Sequence, residues 1–473
     1  MQRQTQAQAY KGTNKLLVGI VFGVITFWLF AQSMVNVVPD VQADLGISMD
    51  ILNIAISLTA LFSGIFVVVA GGLADKFGRM KLTYIGMILS IIGSLMLILA
   101  HGSVLLIIGR IVQGLSSACI MPATMALVKT YYDGAERQRA LSYWSIGSWG
   151  GSGVCSFAGG AIATYMGWRW IFIISIVFAV LGMILIKGTP ESRVEPSATE
   201  VNSKFDMSGL IAFIITMVSL NLVITQGKSF GWTSITTLAL IVVFLIGAFA
   251  FFKIELNKVG GFIDFTLFKN RAYSGATVSN FLLNAVAGTL VVANTYIQVG
   301  RGYTSFQSGM MSLGYLISVL LMIRVGEKIL QKIGARKPML LGSLITGIGV
   351  AMMACTFLEG MIYTVVVFIG YILFGVGLGM YATPSTDTAV SNAPSDKVGV
   401  ASGIYKMASS LGGSFGVAIS AAVYGAMASS GNLELAATIG LLVNVAFCVL
   451  SILSILFMVP GDKKSKKLIA SKA

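Results

Sequence analysis

An all-α polytopic membrane protein is the fold class this sequence predicts, on three grounds. Of the 473 residues, 56% are hydrophobic and only 11% charged, whereas soluble domains carry roughly 25% charged residues. Apolar runs of about 20 residues recur between the charged clusters, the helix length that crosses a bilayer core of roughly 30 Å. Backbone in lipid must also satisfy its own hydrogen bonds, so these runs are helices rather than open strands.

Taken in order, the spans lie near residues 15–38, 50–70, 81–100, 104–129, 138–163, 168–187, 207–226, 234–253, 272–299, 305–326, 338–357, 361–384, 398–427 and 436–459, which makes 14. Lys11 and Lys15 precede the first run. It is too long for a signal h-region and has no small-residue cleavage site, so it is expected to stay as the first span. With the N-terminus inside, alternate loops sort the charges as the positive-inside rule requires. Lys76, Arg79, Lys81, Lys129, Arg137, Arg139, Lys187, Arg193, Lys204, Lys253, Lys258, Lys269, Arg271, Arg324, Lys328, Lys332, Arg336, Lys337, Lys397 and the tail lysines 463–472 fall inside. Only Arg169, Lys228 and Arg301 fall outside. Both termini are therefore expected in the cytoplasm.

The net charge of +14 also suits nucleic-acid binding. No compact basic domain accompanies it, so the charge reads as topogenic and no nucleic-acid partner is expected. The tail lysines read as a stop and orientation signal rather than a lipid-binding patch. Cys119, Cys155, Cys355 and Cys448 lie inside apolar runs without pairing or ligand spacing and read as small core residues. The single His101 beside Gly102 reads as a loop residue. The sequence contains no phosphate loop, metal cluster or nucleophile–base pair. Neither cofactor, metal nor catalytic activity is expected.

Between the second and third spans runs Gly71-Gly72-Leu73-Ala74-Asp75-Lys76-Phe77-Gly78-Arg79-Met80-Lys81. Gly71 and Gly78 permit a tight reversal, and Asp75 is placed to accept hydrogen bonds from a neighbouring helix N-terminus or from Arg79. A weaker copy, Lys332-Ile333-Gly334-Ala335-Arg336-Lys337, lies 256 residues on, with Gln331 where Asp75 stood. On the fourth span Arg110, Gln113, Gly114 and Ser117 share one helical face. An arginine at membrane depth costs several kcal/mol unless it faces protein or a watery cavity. The fifth span carries Gly147, Gly150, Gly151, Gly153, Gly159 and Gly160, small residues that let helices approach and slide.

These motifs resemble the major facilitator superfamily, whose loop signature is G-x-L-A-D-R-x-G-R and whose fourth-helix motif is R-x-x-Q-G. Within it the chain is similar to the 14-helix drug:proton antiporter branch, and in texture to its Nor-type quinolone efflux proteins. Gly167-Trp168-Arg169-Trp170-Ile171-Phe172 resembles that branch, as do Gly375–Gly379, Thr383-Pro384, Gly399–Gly403 and Leu411–Ala418. The fifth span departs from the antiporter pattern, because Cys155-Ser156 stand where Gly-Pro is usual; without the proline a kink is less assured. The resemblance implies two six-helix halves, 1–190 and 259–473, with two inserted helices in 191–258. It also implies a monomer that exchanges protons for small-molecule drugs in a bacterial plasma membrane. The same fold admits importers and metabolite exchangers.

Substrate is expected near the midplane between the halves. On the first span Trp28, Gln32, Asn36 and Asp40 are spaced i, i+4; on the ninth, Asn280, Asn284, Asn294 and Gln298 form a rougher row. They line a cavity or make ordinary interhelical hydrogen bonds; the spacing leaves both readings open. Trp149, Tyr315, Tyr381 and Tyr405 are candidates for stacking flat drugs, or for packing. Many relatives carry an acid within the first span, and this chain has none there. Asp40 is then the expected proton acceptor, with Arg110 tuning the cavity and Asp387, Asp75 and Arg79 as further coupling candidates. Lys406 lies inside a span, either snorkelling to an interface or favouring anionic and zwitterionic substrates.

Overall fold

The computed structural model describes residues 10–193, 207–256, 265–428 and 431–461. Among these, every regular element is helical. Each of the 14 expected spans has a helix, and 11 are long and apolar enough to cross a membrane. Span one begins as α1 (Asn14–Ile25), widens to a π-helical segment over Thr26–Ala31 and tightens to 3-10 over Gln32–Asn36. The short α2 (Val38–Leu45) follows, then α3 (Met49–Phe77), α4 (Arg79–Ile98) and α5 (Ser103–Tyr131). Span five is split into α6 (Gly134–Ser145), a π segment Ile146–Gly150, and α7 (Gly151–Met166). Next come α8 (Arg169–Ile186), α9 (Met207–Phe230) and α10 (Ile235–Leu256). Span nine is α11 (Arg271–Ala285), α12 (Gly288–Thr295) and a π segment Tyr296–Gly300. The chain ends in α13 (Ser305–Ile333), α14 (Arg336–Met353), α15 (Gly360–Asn392), α16 (Val398–Ala428) and α17 (Leu433–Met458).

Two expectations need correction. The α3–α4 reversal uses Gly78 alone, at φ 124°; Gly71 lies inside α3, because that helix runs on to Phe77. The i, i+4 row on span one does not survive either, and on span nine the Asn280–Asn284 step holds within α11 but does not carry on to Asn294 and Gln298. A π turn and a 3-10 turn change the angular step per residue, and span nine is interrupted between Ala285 and Gly288. Asn36's side chain and the tail lysines lie outside what is described.

The helices pack as two compact units, Met1–Tyr132 with Cys155–Lys269 and Ala393–Met407, and Asp133–Val154 with Asn270–Asn392 and Ala408–Ala473. In the first, α3 and α4 pack on α5, α4 and α1 on α8, and α9 on α10. Its apolar core gathers Phe30, Met34, Val41, Leu52, Leu97, Leu106, Trp168 and Phe172. In the second, α13 and α14 pack on α15, α14 and α11 on α17, and α6 on α13 and α15.

Candidate functional site

The α3–α4 turn builds a buried charge cluster in the first unit. Asp75 Oδ1 accepts from Arg79 Nη2 at 2.9 Å and Nε at 3.1 Å, and both side chains are nearly closed off. Its Oδ2 accepts from the backbone N–H groups of Gly399 at 2.7 Å and Val400 at 3.2 Å. Those amides stand in the first turn of α16, where a helix has no internal partners for its N–H groups and carries its positive dipole end. One carboxylate thus joins α4 to the start of α16. Arg79 spends its other donors on Thr130 Oγ1 at 2.5 Å, the Ser395 carbonyl at 3.2 Å and Ser192 Oγ at 3.5 Å. Gly71 is required for contact: a Cβ there would strike the Gly399 carbonyl. Glu191, which the sequence reading passed over, accepts from the N–H groups of Met80 and Lys81 at 2.8 and 3.0 Å and so caps α4.

Deeper in the same unit, Arg110 is fully buried. Its Nη1 donates to the Ala31 carbonyl and to Gln113 Oε1, each at 2.7 Å. Ala31 ends the π segment of span one, where departure from the α register frees carbonyls for outside donors. Arg110 Nε and Nη2 have no partner among the described residues, and Arg110 forms no ion pair among them. Three residues before Ala31, the Trp28 ring lies 5.2 Å from Lys406 Nζ. Lys406 is 5% exposed, so its ammonium packs inside the protein on an aromatic face rather than snorkelling. Trp28 Nε1 is buried without a hydrogen-bond partner among the described residues.

The second unit holds its own cluster. Asp387 accepts from Arg137 Nε at 3.3 Å, Gln138 Nε2 at 3.4 Å and Ser391 Oγ at 3.0 Å. Gln331, at the place of Asp75 in the repeat, donates to Glu327 Oε1 at 3.1 Å and to the Ala135 carbonyl at 3.4 Å. Glu327 is buried and pairs with Arg324, whose guanidinium lies 4.5 Å from the Tyr143 ring centre. The expected span ten, 305–326, holds Arg324 at its inner end and stops one residue short of Glu327; α13 continues to Ile333. An acid three residues after an arginine at the end of an apolar run was the available signal.

The remaining candidates scatter. Asn280 Nδ2 donates to Ser409 Oγ at 2.6 Å, and Asn284 Nδ2 to Asn280 Oδ1 at 2.9 Å. Tyr381 is buried and shares hydrogen bonds with Ser279 and Ser385 at 2.7 and 2.9 Å. Asn294 Oδ1 accepts from Tyr371 at 2.6 Å, and Tyr315 packs 5.3 Å from Phe374. Tyr405 is buried beside Lys406. Gln32, Trp149 and Gln298 are half-buried on the 3-10 and π segments. Asp40 is exposed in the first turn of α2 and supplies none of Arg110's hydrogen bonds.

Comparison with known proteins fits this architecture. A family model described as Major Facilitator Superfamily matches residues 20–417. Two Staphylococcus aureus proteins called quinolone resistance protein NorB are similar along almost the whole chain. The one from strain MRSA252 is 55% identical over 97% of this chain and 98% of its own length. The one from strain COL is 56% identical with the same coverage. Among solved structures, the proton:xylose symporter XylE superposes with a TM-score of 0.67 at 14% identity, covering 95% of this chain and 96% of that one. The human organic anion transporter MFSD10 gives 0.64 at 13% identity, covering 93% and 98%. At such identities those two speak for the fold alone. With its family model, its relatives and its helices in agreement, the chain belongs to the Major Facilitator Superfamily and is a multi-pass membrane transporter.

Proposed function

We propose that this transporter is a proton-coupled exporter of amphiphilic drugs, quinolones and biocides among them, acting as a monomer in the bacterial plasma membrane. The observation that carries the proposal is identity of 55–56%, nearly end to end, to proteins named for quinolone resistance. On this reading residues 1–190 and 259–473 are the two related halves, 191–258 holds the inserted helices, and both termini face the cytoplasm. The charge sorting of the loops supports that orientation. Asp75 and Arg79 then act as a conformational latch, with Asp387 and Arg137 as a second one. Asp40 receives the proton from outside, and Arg110 sets the field within. In the first unit the half-buried Gln32, and in the second the half-buried Trp149, are proposed as side chains that contact drug.

Everted membrane vesicles provide the test. Norfloxacin is expected to accumulate in them when their interior is acid, and a protonophore should abolish the accumulation. Accumulation indifferent to the pH gradient would refute the coupling. Accumulation by right-side-out vesicles with an inward proton gradient would refute export.

A further inference from the structure

We propose that Arg169 in the first unit and Arg301 in the second are positioning residues for transport. Each ties the chain that follows a widened span to a loop joining two other spans of the same unit. The transport part of the proposal rests on the drug-export reading. In the first unit, α4 ends at Ile98 and α5 starts at Ser103. Arg169 Nε donates to the Ile98 carbonyl and Nη2 to the Ala100 carbonyl, at 3.0 and 2.9 Å. Its Nη1 donates to Asp44 Oδ2, and Asp44 lies in α2, which follows the π and 3-10 turns of span one. In the second unit, α14 ends at Met353 and α15 starts at Gly360. Arg301 Nη2 donates to the carbonyls of Thr356 and Leu358, at 2.5 and 2.6 Å. Arg301 directly follows the π segment of span nine, and its backbone N–H donates back into it, to the Tyr296 carbonyl at 3.1 Å. Each guanidinium also lies 4.5 Å from an aromatic ring centre, Trp168 in one unit and Tyr363 in the other.

The chemistry is shared, yet the two arginines are not repeats of one another. Shifted by the 256 residues that separate the two loop motifs, Ala100 falls on Thr356, so the held loops correspond. Arg301 shifted back falls on Leu45, beside Asp44, and not on Arg169. The two units therefore reach one fastening from different residues, which marks the fastening itself as what the fold requires. Carbonyls at and just past a helix C-terminus have no intrahelical donor and sit at the negative end of the dipole. A guanidinium meets two of them at once, and its flat face packs on the ring beside it. Fixing the chain just beyond a widened turn fixes the register in which that turn sits. The arginines thus set which side chains spans one and nine present.

Hydrogen exchange in the purified full chain and norfloxacin efflux from proteoliposomes test the proposal. Arg301→Ala is expected to quicken exchange of the Cys355 and Leu358 amides at least about tenfold, the scale of a lost charge-assisted hydrogen bond. Gly302 and Tyr303, whose amides bond into the π segment, should quicken with them, while Leu99 and Ala100 stay unchanged. Arg169→Ala should do the reverse, loosening Leu99 and Ala100 and sparing Cys355 and Leu358. Asp44→Asn should loosen Gly46, at the end of α2, and spare Leu99 and Ala100. Turnover per folded molecule should fall several-fold in Arg301→Ala with KM little changed. Arg301→Lys, which keeps the charge and loses the planar fork, should recover only part of both losses. Unchanged exchange in the loop facing the substituted arginine overturns the proposal, and so does loosening of both loops by either variant. Loosened loops with full turnover overturn the positioning role. Where Arg301→Ala does not fold, Arg301→Lys takes its place, and exchange and turnover equal to the wild type's overturn the proposal. The exchange measurement uses no drug, so a wild type that moves no norfloxacin refutes the export reading and leaves exchange to decide the fastening.

Discussion

Replacing Asp75 by Asn changes one atom and is expected to undo the junction between α3, α4 and α16. The carboxylate has four contacts, two from Arg79 and one each from the N–H groups of Gly399 and Val400. An asparagine has a single acceptor oxygen, and its amide nitrogen would face donors. It can serve the arginine or the α16 amides, but not both. Breaking a buried ion pair by removing one partner costs about 3–5 kcal/mol, and 3 kcal/mol is a factor of roughly 150 in an equilibrium. Hydrogen exchange gives a direct readout, because Gly399 and Val400 lie in the first helical turn and have no intrahelical acceptor. Their protection therefore comes from Asp75. Their exchange in the purified protein is expected to quicken about 100-fold in Asp75→Asn, with the middle of α16 unchanged. Adding Arg79→Gln should recover part of the loss, since the stranded guanidinium goes with it. Unchanged protection of these two amides in Asp75→Asn would refute the reasoning.

Other outcomes follow from the same geometry. Gly71→Val drives a branched side chain into the Gly399 backbone, so its drug transport should fall at least tenfold while membrane abundance holds; normal transport would contradict the contact. Tyr371→Phe removes the hydroxyl that donates to Asn294 and should lower stability by about 1 kcal/mol, read as a small drop in the unfolding midpoint in detergent. Arg169 ties the carbonyls of Ile98 and Ala100, at 3.0 and 2.9 Å, to Asp44 at 2.5 Å. Its pair with the half-exposed Asp44 contributes little in water, so Arg169→Ala should lose about 1–3 kcal/mol, mostly from the two carbonyls. Asp44→Ala should lose much less, and similar midpoints for the two variants would contradict that division.

The spans were legible in the sequence because the bilayer demands long apolar runs, which composition cannot disguise. The Asp75–Arg79 pairing was legible because the two lie one helical turn apart. What lies across the chain was harder to read. Gly399 is 324 residues from Asp75, and nothing in the local pattern around Lys406 names Trp28 as its seat. Helix distortion was least visible of all. Span five runs straight through Cys155-Ser156, where the usual proline is missing, and widens instead upstream at Ile146–Gly150. Span one likewise loses its α register at Thr26 with no proline or glycine within the segment. The other two widened segments contain glycine and span one's does not, so no one residue type marks these turns, and a single chain read by periodicity misplaces every face beyond them.

Those widened turns, at Thr26–Ala31, Ile146–Gly150 and Tyr296–Gly300, give the three rods a mechanical property that a straight helix lacks. Each holds more residues per turn than an α-helix of the same rise. Such a surplus can travel along a rod by exchanging one hydrogen bond at a time, and each step turns the side chains it passes by about 100°. The rod's two ends need not slide or tilt while this happens. For span one, a small migration of the bulge would swing Trp28 from one neighbour to another while α1 stayed seated on α8. The same property makes these places forgiving to edit: a one-residue deletion within 26–31 can be absorbed by reverting to plain α-helix, whereas the same deletion in the middle of α5 would rotate everything after it out of register.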